Sequence, residues 1–96
     1  MPKGYWVARM TVTNPDGYPA YQAANAAAFK SFGAKFLVRG GAFEAVEGEA
    51  RERHVIIEFE SIEKARACYF SPEYQEAIRL RNLCATGDLM IIEGVE

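Results

Sequence analysis

Arg39, Asn25 and His54 are residues whose types could do chemistry, each on a segment rich in apolar side chains. Arginine presents a planar fork that grips a carboxylate or an enolate through two parallel hydrogen bonds. Arg39 falls on an extended segment, as do Arg9 and Glu58, and all three read as interior strand positions. A buried arginine must be paired. Two arrangements satisfy that demand. Either Arg39 orients an anionic substrate, or Arg9 and Arg39 form a structural ion-pair network with a nearby Glu58.

Tyr21 and Asn25 are four residues apart on a helical segment, so they share a face. An amide inside a stripe of Ala and Phe must find hydrogen-bond partners. Asn25 could hold a substrate carbonyl or cap the backbone of a loop. Tyr69, Ser71 and Tyr74 cluster where two helices join. Ser71 is most simply a helix N-cap, whereas Tyr69 and Tyr74 could offer phenols to a pocket or serve as core aromatics with a wet tip. His54 is the only histidine, and one imidazole suffices for a general base. It shares a strand face with Ile56 and Glu58, but its place near the start of the strand also suits an exposed hairpin-end residue. A zinc site needs about three protein ligands; His54 and Glu58 supply two, so no metal is expected. Cys68 and Cys84 lack the base or helix N-terminus that activates a thiol and read as apolar fillers. Gly40-Gly41 is no phosphate loop, because no Lys-Ser/Thr and no helix follow it.

The elements that carry these residues belong to a 96-residue chain, half of it hydrophobic, with six Phe, five Tyr and one Trp. That length suggests one domain, 1–96. A chain of this size buries only about 60–65% of its unfolded surface, so so much apolar material suggests burial against a second chain. The net charge of −2 and the absence of a basic cluster argue against nucleic acid. No apolar run reaches membrane-spanning length, no signal peptide is evident, and the two cysteines fit neither a disulfide framework nor a zinc pattern. A cytoplasmic protein with reduced thiols is expected.

Alternation predicts a first strand over Tyr5 to Thr13, and Asn14-Pro15-Asp16-Gly17 a turn. A helix is expected from about Pro19 to Phe32, capped by a left-handed Gly33, burying Tyr18, Tyr21, Asn25, Ala28, Phe29 and Phe32. A second strand covers Lys35 to Arg39, with a bulge or bend at Gly40-Gly41 and extended chain resuming at Phe43 to Val46. Glu47-Gly48-Glu49 begins a hairpin turn, and Arg53 to Glu60 is the third strand. Ser61 caps a short helix, Ile62 to about Tyr69. Ser71-Pro72-Glu73 starts another, which runs to about Cys84 or Ala85 and is closed by Gly87. Leu89 to Glu93 is the last strand.

The order β-α-β-β-α-β, with the second α a helix pair, is that of an α+β, ferredoxin-like fold. It has an antiparallel sheet, helices on one face, and the third strand between the first and second. Both parities of the strands are apolar: Val55, Ile57 and Phe59 oppose Ile56, and Leu89 and Ile91 oppose Met90 and Ile92. A bare face of that kind would be a large exposed apolar patch. Packing against a second copy as a two-fold homodimer removes it, as would cover by loops and termini.

Several stretches, taken together, resemble the uncharacterised family known as domain of unknown function 1330, within the dimeric α/β-barrel superfamily. They are Lys3-Gly4-Tyr5-Trp6, Ala24-Asn25, Phe36-Leu37-Val38-Arg39-Gly40-Gly41, Glu47-Gly48, Val55-Ile56-Ile57-Glu58-Phe59, Ser71-Pro72-Glu73-Tyr74-Gln75, and Asp88 with Glu93-Gly94. The resemblance implies a dimer whose sheets close a barrel-like interface. It implies no reaction, since relatives in the superfamily include cofactor-independent monooxygenases, isomerases, dehalogenases, haem-handling proteins and ligand binders.

The expectation is a pocket between sheet and helices, bounded by Tyr21, Asn25, Arg39, His54 and Tyr74, with Tyr69 nearby. It would take a small organic molecule, anionic or aromatic, without metal, nucleotide or other cofactor. In an enzyme Arg39 would orient the anion, Asn25 would donate a hydrogen bond, and His54 or a tyrosine would move a proton. The alternative is a non-catalytic dimeric module with a collapsed pocket. Unpaired polar groups lining a concavity favour the first; Arg39 paired to Glu58 favours the second.

Overall fold

A computed structural model describes residues 2–96. Its elements are β1 (Gly4–Val12), α1 (Tyr18–Ser31), β2 (Lys35–Arg39), β3 (Arg53–Phe59), α2 (Ile62–Tyr69), α3 (Pro72–Arg81) and β4 (Ala85–Glu93). The four strands form one antiparallel sheet in the order β2-β3-β1-β4, so β3 does lie between β1 and β2. The helices cover one face, with α1 packed on α3 and α2 against β1, β3 and β4.

Local chemistry explains the boundaries. A 3-10 turn at Pro15–Gly17 leads into α1, which starts at Tyr18 with Pro19 in its first turn. Gly33 follows α1 at φ +68°, the left-handed conformation in which a β-carbon is costly. Ser61 accepts a hydrogen bond from the Lys64 amide at the start of α2. Ser71 is the N-cap of α3: its Oγ accepts from the Tyr74 amide at 3.3 Å and donates to the Cys68 carbonyl at 2.7 Å.

Three expectations are corrected. Residues 40–52 form no strand, so Phe43–Val46 is an exposed connection. Helix α3 stops at Arg81, and β4 begins four residues earlier than predicted, at Ala85. Gly87 therefore closes no helix. It sits in β4 opposite Met10, where a β-carbon would run into the Arg9 carbonyl. The alternation of Ala85–Asp88 is too polar to announce a strand, and only pairing with β1 recruits it.

Trp6 joins the layers. Its indole Nε1 donates to the Ala65 carbonyl of α2 at 2.9 Å. Its ring lies 5.3 Å from Phe29 of α1, 4.7 Å from Tyr74 of α3 and 5.3 Å from Phe59 of β3. The ring is 1% exposed. Aromatic pairs at such separations add to the area term. Trp6→Ala is expected to cost about 3–5 kcal/mol, read as a lower urea midpoint in equilibrium unfolding; a loss under about 1 kcal/mol would contradict this role.

Candidate functional site

Which side chains face the helices is set by strand register. Trp6 pairs with Ile57 and Ala8 with Val55, and these four form the inner face. On β2 the register slips: Phe36 pairs with Ile57, but Val38 pairs with Ile56 and Arg39 with Val55. Two residues, Leu37 and Val38, thus oppose one, which is a β-bulge. The extra residue reverses the alternation after Phe36 and puts Phe36 and Arg39 on the same, inner face. A bulge or a bend was expected at Gly40-Gly41; the chain does bend at Gly40, while the bulge lies three residues earlier and is what turns Arg39 toward the helices.

The result is a cavity between α1, α3 and the sheet. Its apolar wall includes Trp6, Phe29, Phe36 and Ile57; its polar groups are Tyr18, Tyr21, Gln22, Asn25, Tyr74 and the arginines Arg39, Arg53 and Arg81. The space a water molecule can enter is about 30 Å³, and the whole gap, its solvent mouth included, is about 450 Å³. The arginines gather at one end of the layers. There the Cys84 carbonyl after α3 accepts from the Thr13 and Asn14 amides after β1. The Gly40 amide, just past β2, donates to the His54 carbonyl at the start of β3. Asn25 lies seven residues into α1 from Tyr18, roughly 10 Å deeper along the helix.

Each arginine is held by aromatic groups rather than by acids. The Arg39 guanidinium sits 4.3 Å from the centre of the Phe36 ring. Arg53 Nε donates to the Tyr18 hydroxyl at 3.1 Å, and a β-carbon on Gly40, itself at φ +70°, would strike the Arg53 guanidinium. Arg81 Nη1 donates to the Tyr74 hydroxyl at 3.2 Å. Among the described residues, none of the three forms an ion pair, and no Asp or Glu lines the cavity. The Tyr21 and Tyr74 hydroxyls are 2.7 Å apart. Burial first, and then the neighbouring Tyr21, push the Tyr74 phenol well above its ordinary value, so it stays protonated. Asn25 is 7% exposed and makes no side-chain hydrogen bond with any described residue.

The structure thus brings Tyr21, Asn25, Arg39 and Tyr74 together and leaves two expected residues out. His54 pairs with Arg9, and its parity sends it to the outer face of the sheet. There it lies 4.4 Å from Phe43, with Nδ1 buried and without a partner. Tyr69 stands behind the wall, packed on Trp6 and Tyr74 at 5.8 and 5.6 Å. The Arg9–Arg39–Glu58 network is also corrected. Arg9 bonds Asp88 at 3.3 Å beside Arg51, and Glu58 accepts from the Tyr5 hydroxyl at 3.2 Å, all on the outer face. Arg53 and Arg81 were missed. The signals were present: Arg53 continues the inward parity of Val55 and Ile57, and Arg81 follows Tyr74 by two helical turns.

The family model that matches is described as a domain of unknown function (DUF1330) and covers residues 3–95. The chain belongs to the DUF1330 family. No curated protein matches it at a significant level. Solved structures similar to this DUF1330 chain include a protein of unknown function from Rhodopseudomonas palustris, at 18% identity and a TM-score of 0.78, covering 99% of this chain and 84% of that one. SnoaB, a cofactor-independent oxygenase from Streptomyces nogalater, is 14% identical with a TM-score of 0.66, covering 100% and 96%. A dimeric ferredoxin-like protein of unknown function from Thermobifida fusca is 13% identical with a TM-score of 0.63, covering 99% and 92%. At such identities the likeness establishes the ferredoxin-like fold. Among the described residues of this DUF1330 chain, no helix is long and apolar enough to cross a membrane, and no group of three His, Cys, Asp or Glu could hold a metal ion.

Cys68 and Cys84 are buried, and neither lines the cavity. Burial, with the Glu73 charge second, pushes the Cys68 thiol from 9.0 up to about 12. Between those values the unfolded chain has lost a proton that the folded chain keeps, so stability falls as pH rises through that window. The Tyr74 phenol adds to the loss in the same direction above 10.0. Urea unfolding is expected to give a flat stability from about pH 7 to 8 and a decline above about 9, with neither thiol labelled by a thiol reagent before unfolding. Rapid labelling of the native protein would contradict the burial.

Proposed function

We propose that this chain binds a small organic anion with a flat apolar body in the cavity between α1, α3 and the sheet. One observation carries the reading: three arginines line one end of an aromatic-walled cavity without a carboxylate among its lining residues, in a chain whose net charge is −2. Positive groups concentrated in a low-dielectric cleft attract and retain an anion. Arg39 is neither buried nor paired to Glu58, and Asn25 is buried without a partner. Both favour a ligand site over a collapsed pocket. A ring would lie against Trp6, Phe29 and Phe36, with its anionic group at the arginine mouth. The space between the walls is water-sized, so taking up a ring requires the half-buried Phe36 and the mouth arginines, of which Arg39 is exposed and Arg53 and Arg81 partly so, to move outward.

SnoaB is a cofactor-independent oxygenase, and similarity to it supports an enzyme that also works without a cofactor. The cavity's own groups would supply anion stabilisation and phenolic proton donors. It offers no carboxylate or imidazole as a base, and His54 on the opposite face is not given that role.

A homodimer completes the proposal. On the outer face Val38, Ile56, Val7 and Met90 form a cross-strand apolar row, with Ile92 beside it. Met90 and Ile92 are 52% and 45% exposed. The rows on either side are polar apart from Ile92: Lys35, Glu58 and Tyr5 precede it on one, and His54, Arg9 and Asp88 make up the other. The 40–52 connection reaches this face at Phe43 on His54 and at Arg51 on Asp88. The dimeric ferredoxin-like neighbour from Thermobifida fusca supports the same assembly.

Two outcomes are expected. Calorimetry against single-ring aromatic carboxylates should detect binding that Arg39→Met weakens by about 1.5–3 kcal/mol, roughly 10–100-fold in Kd. Unchanged affinity in a stably folded variant would contradict the site. Sedimentation should report a dimer at micromolar concentration and a monomer for Ile56→Lys; a monomeric wild type would contradict the interface.

A further inference from the structure

The hydrogen bonds at the cavity wall have a direction. A guanidinium can only donate, so Arg81 Nη1 gives a proton to the Tyr74 oxygen. Tyr74 is fully buried, and its own proton needs an acceptor inside the protein. The partner in reach is the Tyr21 oxygen, 2.7 Å away. The chain therefore runs Arg81 to Tyr74 to Tyr21, and the Tyr21 proton is left without an acceptor among the described residues. Cooperative polarisation along such a chain makes its last hydroxyl a better donor. Tyr21 lines the cavity. One turn further along α1, Asn25 lines it too, buried and with its amide unpartnered.

We propose that Tyr21 and Asn25 form a subsite for a second, uncharged oxygen of the ligand, a hydroxyl or a carbonyl. This rests on the anion-binding reading and narrows it: the ligand class is a hydroxy- or oxo-substituted aromatic acid rather than a bare carboxylate. A ligand hydroxyl accepts from Tyr21 and donates to the Asn25 Oδ1; a carbonyl accepts from both Tyr21 and the Asn25 amide. Either arrangement uses the Tyr21 proton, which has no acceptor among the described residues, and the Asn25 amide, which has no side-chain hydrogen bond among them. A ligand without that oxygen strands them, which costs affinity. The arginine mouth takes the acid group, and the subsite lies further in along α1.

The test compares benzoate, 3- and 4-hydroxybenzoate, and uncharged 3-hydroxybenzamide by calorimetry with wild type, Tyr21→Phe and Asn25→Leu, each first shown by thermal melting to be folded. Wild type should bind at least one hydroxybenzoate about tenfold more tightly than benzoate. Both variants should lose most of that preference, measured within each variant as the ratio of hydroxybenzoate to benzoate affinity, which a general loss of stability does not move. Equal binding of benzoate and both hydroxybenzoates, or a preference that survives in both variants, overturns the subsite and leaves the anion site standing. If hydroxybenzamide binds as tightly as the acid and the preference still depends on Tyr21, the subsite stands and the anion reading falls. If no probe binds the folded wild type, both are overturned.

Discussion

The indole of Trp6 is the contact on which the two layers depend. It is anchored by one hydrogen bond to the Ala65 carbonyl, and its faces and edges meet rings from α1, α3 and β3 at once. A thin sheet-and-helix sandwich has few residues that can touch every layer, and a buried tryptophan is large enough to do so. The same ring forms part of the cavity wall. Core and site are therefore one packing problem. The aromatic side chains that hold α1 and α3 over the sheet also wall the water-sized space between them.

Charge follows from the same geometry. The chain is acidic overall, yet its acids lie outside the cavity. Glu58 and Asp88 occupy the outer face, bonded to Tyr5 and to Arg9 and Arg51. Three arginines remain on the inner side, held in place by Phe36, Tyr18 and Tyr74. Aromatic faces and phenolic oxygens position a guanidinium while leaving most of its donors free. An ion pair would have neutralised it. The proposed anion site rests on this arrangement.

Much of the fold could be read from side-chain alternation and capping residues. Trp6, Ala8 and Met10 point inward as their spacing requires, α1 buries Tyr21, Asn25, Ala28 and Phe29 on one stripe, and Ser61 and Ser71 cap the helices that follow them. Where reading failed, a non-local effect had taken over. The bulge at Leu37 and Val38 reversed the parity that assigned Arg39's neighbours, and no residue type at that place announces it. Ala85–Asp88 became strand because β1 offers a partner, not because of its own propensity. In the site, Tyr21, Asn25 and Tyr74 were legible as polar atoms on apolar stripes. His54 was expected at the pocket for its residue type, although the face it shares with Ile56 and Glu58 lies opposite that of Ile57. Arg53 and Arg81 were overlooked because charged residues at element ends usually face water.

The central claim is that an anion sits at the arginine mouth of the inner cavity. A high-resolution crystal structure of the chain soaked with a single-ring aromatic carboxylate tests it most directly. Density for the ring between Phe29, Phe36 and Trp6 is predicted, with carboxylate oxygens within hydrogen-bond distance of Arg39 or Arg53. A ligand bound on the outer sheet face, or a cavity closed by Arg39 and Arg53 paired to the protein's own carboxylates, would contradict it.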